Sequence, residues 1–177
     1  MAKKKPKRSR RYSRRTREKK AIPWLIVASA VLVFGLLLYE ALRPKPGLAM
    51  PDLGNQHIQY PQTATYNSSP PTSGPHYEAL ARWGVHADPI PNELQVHNLE
   101  DGGVMVQYNC PDGCGDLVAQ LADVVERYHD GVILAPYPDM ESRIALTAWG
   151  RIDTFEEFDE QRIVKFVEAY RSIDHHR

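Results

Sequence analysis

The chain has 177 residues, with 22 Lys plus Arg against 22 Asp plus Glu and a formal net charge of zero. The balance hides two opposite parts: residues 1–20 carry twelve basic residues and one acidic one, Glu18, whereas from Gly47 onward eight basic residues face twenty acidic ones, a formal charge of −12. The acidic part repels anionic lipid and attracts cations at long range, its roughly 130 residues suffice for one compact domain, and no internal repeat divides it.

The basic tail 1–20 has no interleaved aromatics beyond Tyr12, which argues against a nucleic-acid partner and for a topology determinant lying on anionic lipid. Ile22 to Tyr39 follows as eighteen residues without a charge. A helix needs about 20 apolar residues to cross a bilayer, so 21–42 is long enough to span it. Trp24 and Tyr39 stand near its ends, where amphipathic rings favour the interface. The positive tail then stays cytoplasmic, and everything after Arg43 lies outside a single-pass anchor in the cell membrane. A cleaved signal peptide fits less well, because the basic region and apolar run are long and Leu48-Ala49-Met50 is a poor small-x-small site.

Residues 43–56 hold Pro44, Pro46, Pro51, Gly47 and Gly54 and read as a stalk, leaving 57–177 as the extracytoplasmic domain. His57 to His76 has no helical or strand period and ends in Pro70-Pro71-Thr72-Ser73-Gly74-Pro75-His76. Prolines fix their own φ and bias the preceding residue to extended geometry, so this loop holds the His76 ring at low entropic cost. Leu94 to Tyr108 reads as a hairpin turning at Asp101-Gly102, with His97 opposite Val106 and Leu99 opposite Val104. In that register His97 shares a face with Leu99, Val104, Val106 and Tyr108.

Asp116 to His129 has Leu117, Leu121, Val124, Val125 and Tyr128 at helical spacing, with Gly131 as its stop. Val132 to Ala135 and Ile144 to Trp149 read as buried strands, with Trp149 a core aromatic. A second helix spans Asp159 to Ser172, with Asp159 as N-cap and Ile163, Phe166, Val167 and Tyr170 as its buried stripe. The order ββαββα predicts an α+β domain: two helices on a small mixed or antiparallel sheet, preceded by the transmembrane helix. A thioredoxin-like arrangement (strand, cysteine pair, helix, two strands, helix) is the alternative. Cys110 and Cys114, both external, favour a local disulfide, with a redox pair or soft-metal site as the competing readings.

Three motifs, Pro-Pro-Thr-Ser-Gly-Pro-His at 70–76, His-Asn-Leu-Glu-x-Gly-x-Val at 97–104 with a following Tyr, and Ala-Leu-Thr-Ala-Trp-Gly at 145–150, occur in this order. Together they resemble the bacterial domain of unknown function 3105, over roughly Tyr60 to Tyr170. Members of that family are typically anchored by one N-terminal helix. Their middle motif usually reads His-Asn-Leu-Glu-His-Gly, and this chain has Asp101 at the second histidine. The resemblance implies a metal site at His76 and His97, with oxygen from Asp101 or Glu100 and a thioether from Met105 or Met140. We take His76, His97, Asp101 and Met140 as the expected ligands. A His/Met set favours copper ahead of zinc.

The competing structural reading makes His97 a hydrogen-bonded core residue and has His76 bond a carbonyl within its own loop. His57, His86, His129, His175 and His176 read as surface residues. Three other functions compete. A non-enzymatic domain would bind a protein or other component of the envelope. A Sco-like thiol and copper chaperone would use Cys110, Cys114 and a histidine. Hydrolysis through Ser73, His76 and Asp101 or Glu100 lacks the strand–turn–helix elbow that exposes a serine nucleophile. No catalytic set is assigned.

Overall fold

The structure is a computed structural model describing residues 10–176, with side chains described for 24–39 and 42–176. It divides into two compact units, Met1–Pro44 and Lys45–Arg177. The first contains helix α1 (Arg10–Leu42), along which apolar residues such as Trp24, Leu32, Phe34 and Leu37 are exposed. No helix among the described residues is long and apolar enough to cross a membrane. The segment 21–42 runs partly through 21–23, 40 and 41, whose side chains lie outside the described ones. Residues 1–9 of the basic tail and Arg177 lie outside the described residues altogether.

The second unit is α+β. Its elements are β1 (Leu48–Ala49), β2 (Gly84–Val85), α2 (Asn92–Glu100), β3 (Val104–Tyr108), α3 (Gly115–Val125), β4 (Val132–Pro136), β5 (Ile144–Ala148), β6 (Arg151–Phe155) and α4 (Glu160–Tyr170). The strands form one mixed sheet in the order β1-β6-β5-β3-β4-β2. β2, β4 and β3 run parallel, while β5 pairs antiparallel with β3 and β6, and β6 with β1. Parallel neighbours need a long crossover, and α3 supplies it between β3 and β4. Three strands lie between α3 and α4, where two were expected.

The apolar alternation of the strands splits the core. Val104 and Val106 of β3, Leu134 of β4, and Ile144 and Leu146 of β5 pack beneath Leu117, Leu121, Val124 and Val125 of α3 and Ile163, Phe166 and Val167 of α4. Both helix stripes were expected from their 3.6-residue period. The ends differ slightly, since α3 stops at Val125 and leaves Tyr128 beyond its last turn. Asp159 caps α4 by accepting from the Arg162 amide at 3.0 Å. On the opposite face Met105, Ile133 and Ala135 meet Leu99 of α2 with Ala81 and Ile90.

Several expectations are corrected. The hairpin over Leu94–Tyr108 does not form: its first arm is α2, and β3 takes β4 and β5 as partners, so His97 pairs with neither Val106 nor any strand. The Asp101-Gly102 pair that reads as a hairpin turn instead ends a helix. Gly102 has φ +77°, its amide reaches Leu99 O (3.1 Å), and the Gly103 amide reaches Asn98 O (2.7 Å). These two bonds close a helix C-terminus with glycine in the left-handed region. Trp149 is not in a strand. It stands with Gly150, φ +63°, in a two-residue turn that starts β6, a strand the sequence reading omitted. Residues 45–56 belong to the second unit instead of a free stalk: Leu48 pairs with Ile152, and Met50 N bonds Gly150 O at 2.9 Å.

Candidate metal centre

α2 is the frame of the site. Its Asn98 side chain donates to Ala81 O and accepts from Ala81 N, both at 2.9 Å, and Gln107 of β3 donates to its Gln95 at 2.9 Å. These buried bonds fix the helix on the sheet. Spacing of three and four residues then puts His97, Glu100 and Asp101 on one flank of its last turn. Two carboxylates there oppose the helix dipole, whose C-terminal end favours positive charge. The conflict is local, and a cation at that end would resolve it.

His76 comes from the end of the proline loop. A bridge pairs it with His57: Ile58 N donates to His76 O at 2.8 Å, and His76 N to Gln56 O at 3.0 Å. The His57 ring stacks on His97 (centroids 5.0–5.2 Å from His76 and His97, with 12° between the planes of His57 and His97). The chain's end returns to the same place. Ser172 N bonds Gly102 O (2.8 Å) and His175 N bonds Glu100 O (2.9 Å), which brings His176 beside the two carboxylates.

The ring nitrogens are sorted by their partners. His76 Nδ1 lies 2.7 Å from Gly74 O and His97 Nδ1 lies 2.8 Å from Tyr77 O. A carbonyl only accepts, so each Nδ1 carries the proton and Nε2 of the neutral ring is a lone pair. His176 Nδ1 is 2.7 Å from Asp174 Oδ1 in the same way. Three Nε2 atoms converge on Glu100 Oε2: that of His76 at 3.0 Å, of His176 at 3.4 Å and of His57 at 3.7 Å. Glu100 is itself buried, and its Oε1 accepts from Asn55 Nδ2 at 2.6 Å. Burial pushes the His76 pKa below its ordinary value, outweighing the Gly74 carbonyl and Glu100, so the ring favours its neutral form. At 3.0 Å, His76 Nε2 and Glu100 Oε2 can share a proton or offer two donors to a cation. The Asp174 hydrogen bond raises the pKa of exposed His176.

Two groups of ligand atoms result, each with all members within 4.8 Å of one another: His57, His76, His97 and Glu100, and then His97, Asp101 and His176. A tetrahedral zinc site, with bonds of about 2.0–2.2 Å, sets its ligand atoms about 3.4 Å apart, a spacing these groups approach. Nδ1 bonded to a carbonyl with Nε2 left for metal is the usual arrangement of a metal-binding histidine.

Of the residues expected at the site, His76 and His97 share one group, while Asp101 belongs to the other, with its Oδ1 3.8 Å from His97 Nε2. Met140 packs with Tyr137 and Ala145 in a separate cluster, and Met105 is buried with Leu99 and Ile133. Cys110 and Cys114 form a disulfide and belong to neither ligand group. They stand beyond the far end of β3, a strand roughly 16 Å long at about 3.3 Å per residue. Ser73 Oγ is buried and accepts from the Leu53 amide, which leaves it no nucleophile's exposure.

His57 and His176, read as surface residues, are 42% and 46% exposed yet border the cluster, and Glu100 stands at its centre. Glu100 was the alternative to Asp101 as oxygen donor, and the helix over 92–100 stands it one turn from His97. His57 and His176 carry no local signal, since long-range return of the chain places them.

The family described as a protein of unknown function (DUF3105) matches residues 57–176. No curated protein and no solved structure matches the chain.

Proposed function

The chain belongs to the DUF3105 family, and we propose that its second unit binds one divalent transition-metal ion through His57, His76, His97 and Glu100, as a metal-handling domain at the outer face of a membrane. The observation that carries this reading is the convergence of imidazole Nε2 atoms on Glu100 Oε2, with Nδ1 of His76 and His97 tied to carbonyls. Three imidazoles and a carboxylate are borderline donors that suit Zn(II) and Cu(II). The earlier preference for copper rested on a thioether, and with Met140 packed against Tyr137 and Ala145 that basis is gone. We therefore place zinc first. When bound, the ion would neutralise Glu100 and take up the lone pairs; the chain's part is to hold the rings in one tautomer and to shield His76 and Glu100 from water.

The membrane placement rests on the sequence. The uncharged run from Ile22 to Tyr39 follows twelve basic residues, and its described apolar side chains are exposed. The anchor 21–42 puts the tail in the cytoplasm and the metal domain outside. External protease on intact cells should remove the domain; full protection would reverse the topology.

The metal reading is tested by titrating the full-length chain, kept in mild detergent, with Zn(II) and Cu(II) against competing chelators. One equivalent should bind, and His76→Ala or Glu100→Gln should weaken it more than about 100-fold, beyond the 10–100-fold cost of losing an outer hydrogen-bond partner. A competing reading has one observation behind it: both nitrogens of His76 already have partners. In it a shared proton replaces the metal and the domain binds an envelope partner. Folded protein that takes up neither ion would overturn the metal reading and leave the shared proton in its place.

A further inference from the structure

The second ligand group has a different setting from the first. His76 and Glu100 of the inner group are buried, whereas the side chains of Asp101 and His176 are 27% and 46% exposed. Asp101 and His176 line a cavity of about 540 Å³ whose wall includes Trp83, Leu80, Asp130 and Asp174. Three carboxylates around such a cavity focus negative potential and raise the local concentration of cations. Asp130 is paired with Arg171 at 3.1 Å, and Asp174 holds His176 Nδ1.

His97 belongs to both groups. With its Nδ1 committed to Tyr77 O, it has a single lone pair, on Nε2. One nitrogen lone pair serves one metal ion, so the two groups cannot both be filled through His97. His176 is similarly placed between them: its Nε2 is 3.4 Å from Asp101 Oδ1 and 3.4 Å from Glu100 Oε2. The arm that carries His176 is seated closely. A Cβ on Gly102 would lie 2.6–2.8 Å from backbone atoms of Ile173, and the His175 ring stacks on Trp149 at 5.9 Å.

We infer that His97, Asp101 and His176 form an outer loading position for a divalent transition-metal ion, from which the ion passes to the His57, His76, His97 and Glu100 set, buried except for the 42% exposed His57, with His97 as the common ligand. The inference rests on the metal reading proposed above and adds a route to it. The ion would meet the acidic cavity first, then Asp101, His176 and His97. It would exchange Asp101 for Glu100 while His97 keeps hold, so it is never released to water.

The test uses the full-length chain in mild detergent and Zn(II) delivered from a chromophoric chelator, which reports stoichiometry and affinity at equilibrium and loading rate in stopped flow. The wild-type chain should take one equivalent. His176→Ala and Asp101→Asn should keep that equivalent with affinity within about threefold, yet load at least about tenfold more slowly, the lower end of the cost of losing an auxiliary group at a metal site. Asp101→His keeps a lone-pair donor but drops the charge, and should load faster than Asp101→Asn. Unchanged loading rates in His176→Ala and Asp101→Asn would overturn the outer position. An affinity loss as deep as that of His76→Ala would make His176 a ligand of the inner set instead. Two equivalents in the wild-type chain would show that the groups fill together, and equal slowing by Asp101→His and Asp101→Asn would reduce Asp101 to attraction at a distance; either result defeats the relay. A wild-type chain that binds no Zn(II) would remove the metal reading itself, a failure distinct from these.

Discussion

On one face of the sheet Val104, Val106, Ile144, Leu146 and Leu134 pack with apolar side chains of α3 and α4. On the other face the same strands present Met105, Gln107 and Thr147, and what covers them is α2 with the irregular chain before it. Buried polar residues gather there: His76, Glu93, Gln95, His97, Asn98, Glu100, Gln107 and Thr147. Gln107 Oε1 and Thr147 Oγ1 have no hydrogen-bond partner among the described residues. Burying polar groups costs free energy unless they are paired. The apolar face therefore supplies stability, while the polar one carries a cost that its internal hydrogen bonds offset only in part. One sheet serves two purposes because side chains alternate along each strand.

The sharpest way to break this comparison is to damage each face separately. Phe166 is fully buried between α4 and the sheet, and Phe166→Ala should cost about 3–5 kcal/mol. Denaturant unfolding should show that loss equally with and without metal. On the polar face the expected effect appears only with metal: Zn(II) at 100 times its Kd should add about 2.7 kcal/mol to the wild-type chain and nothing comparable to His76→Ala. Equal stabilisation of both chains by Zn(II) would place its binding elsewhere.

The two faces also differed in how far they could be read from sequence. α3 and α4 show because Leu117, Leu121, Val124 and Val125, like Ile163, Phe166, Val167 and Tyr170, repeat at helical spacing and meet a uniform apolar surface. α2 is obscured because it buries nearly its whole circumference. Gln95, His97, Asn98 and Glu100 are as buried as Val96 and Leu99, so no apolar stripe survives to reveal the period, and Asp101-Gly102 then mimics a hairpin turn. Of the site, His76 and His97 were found through their motifs. His57 and His176 were missed because tertiary contacts alone bring residues 57 and 176 to one point. β6 was missed because the Trp149-Gly150 turn is only two residues long.

A smaller effect isolates the apolar side once more. Asp159 caps α4, and Asp159→Ala should cost about 1 kcal/mol without changing Zn(II) affinity. A loss of affinity would mean that the two faces are coupled through the sheet.

The smallest expected effect belongs to the polar face alone and has a definite sign. Burial holds His76 below its ordinary pKa of 6.5 in the folded chain, against the raising pull of Gly74 O and Glu100. In the window between that lowered value and 6.5 the unfolded chain takes up a proton that the folded chain refuses. Stability of the metal-free protein should then rise with pH through this window and be lost as pH falls below 6.5. His176, raised by Asp174, acts in the opposite sense, but its exposure lets solvent screen most of that contribution. Unfolding midpoints of chelator-treated protein between about pH 5 and about pH 8, where histidines titrate, should therefore climb in the wild-type chain and climb less in His76→Ala. Saturating Zn(II) should steepen the acid side, since protons and metal compete for the same nitrogens. Identical slopes in the two chains would mean that His76 is protonated in the fold, with Glu100 as its counter-ion, and the lone pair on which the metal site depends would not exist.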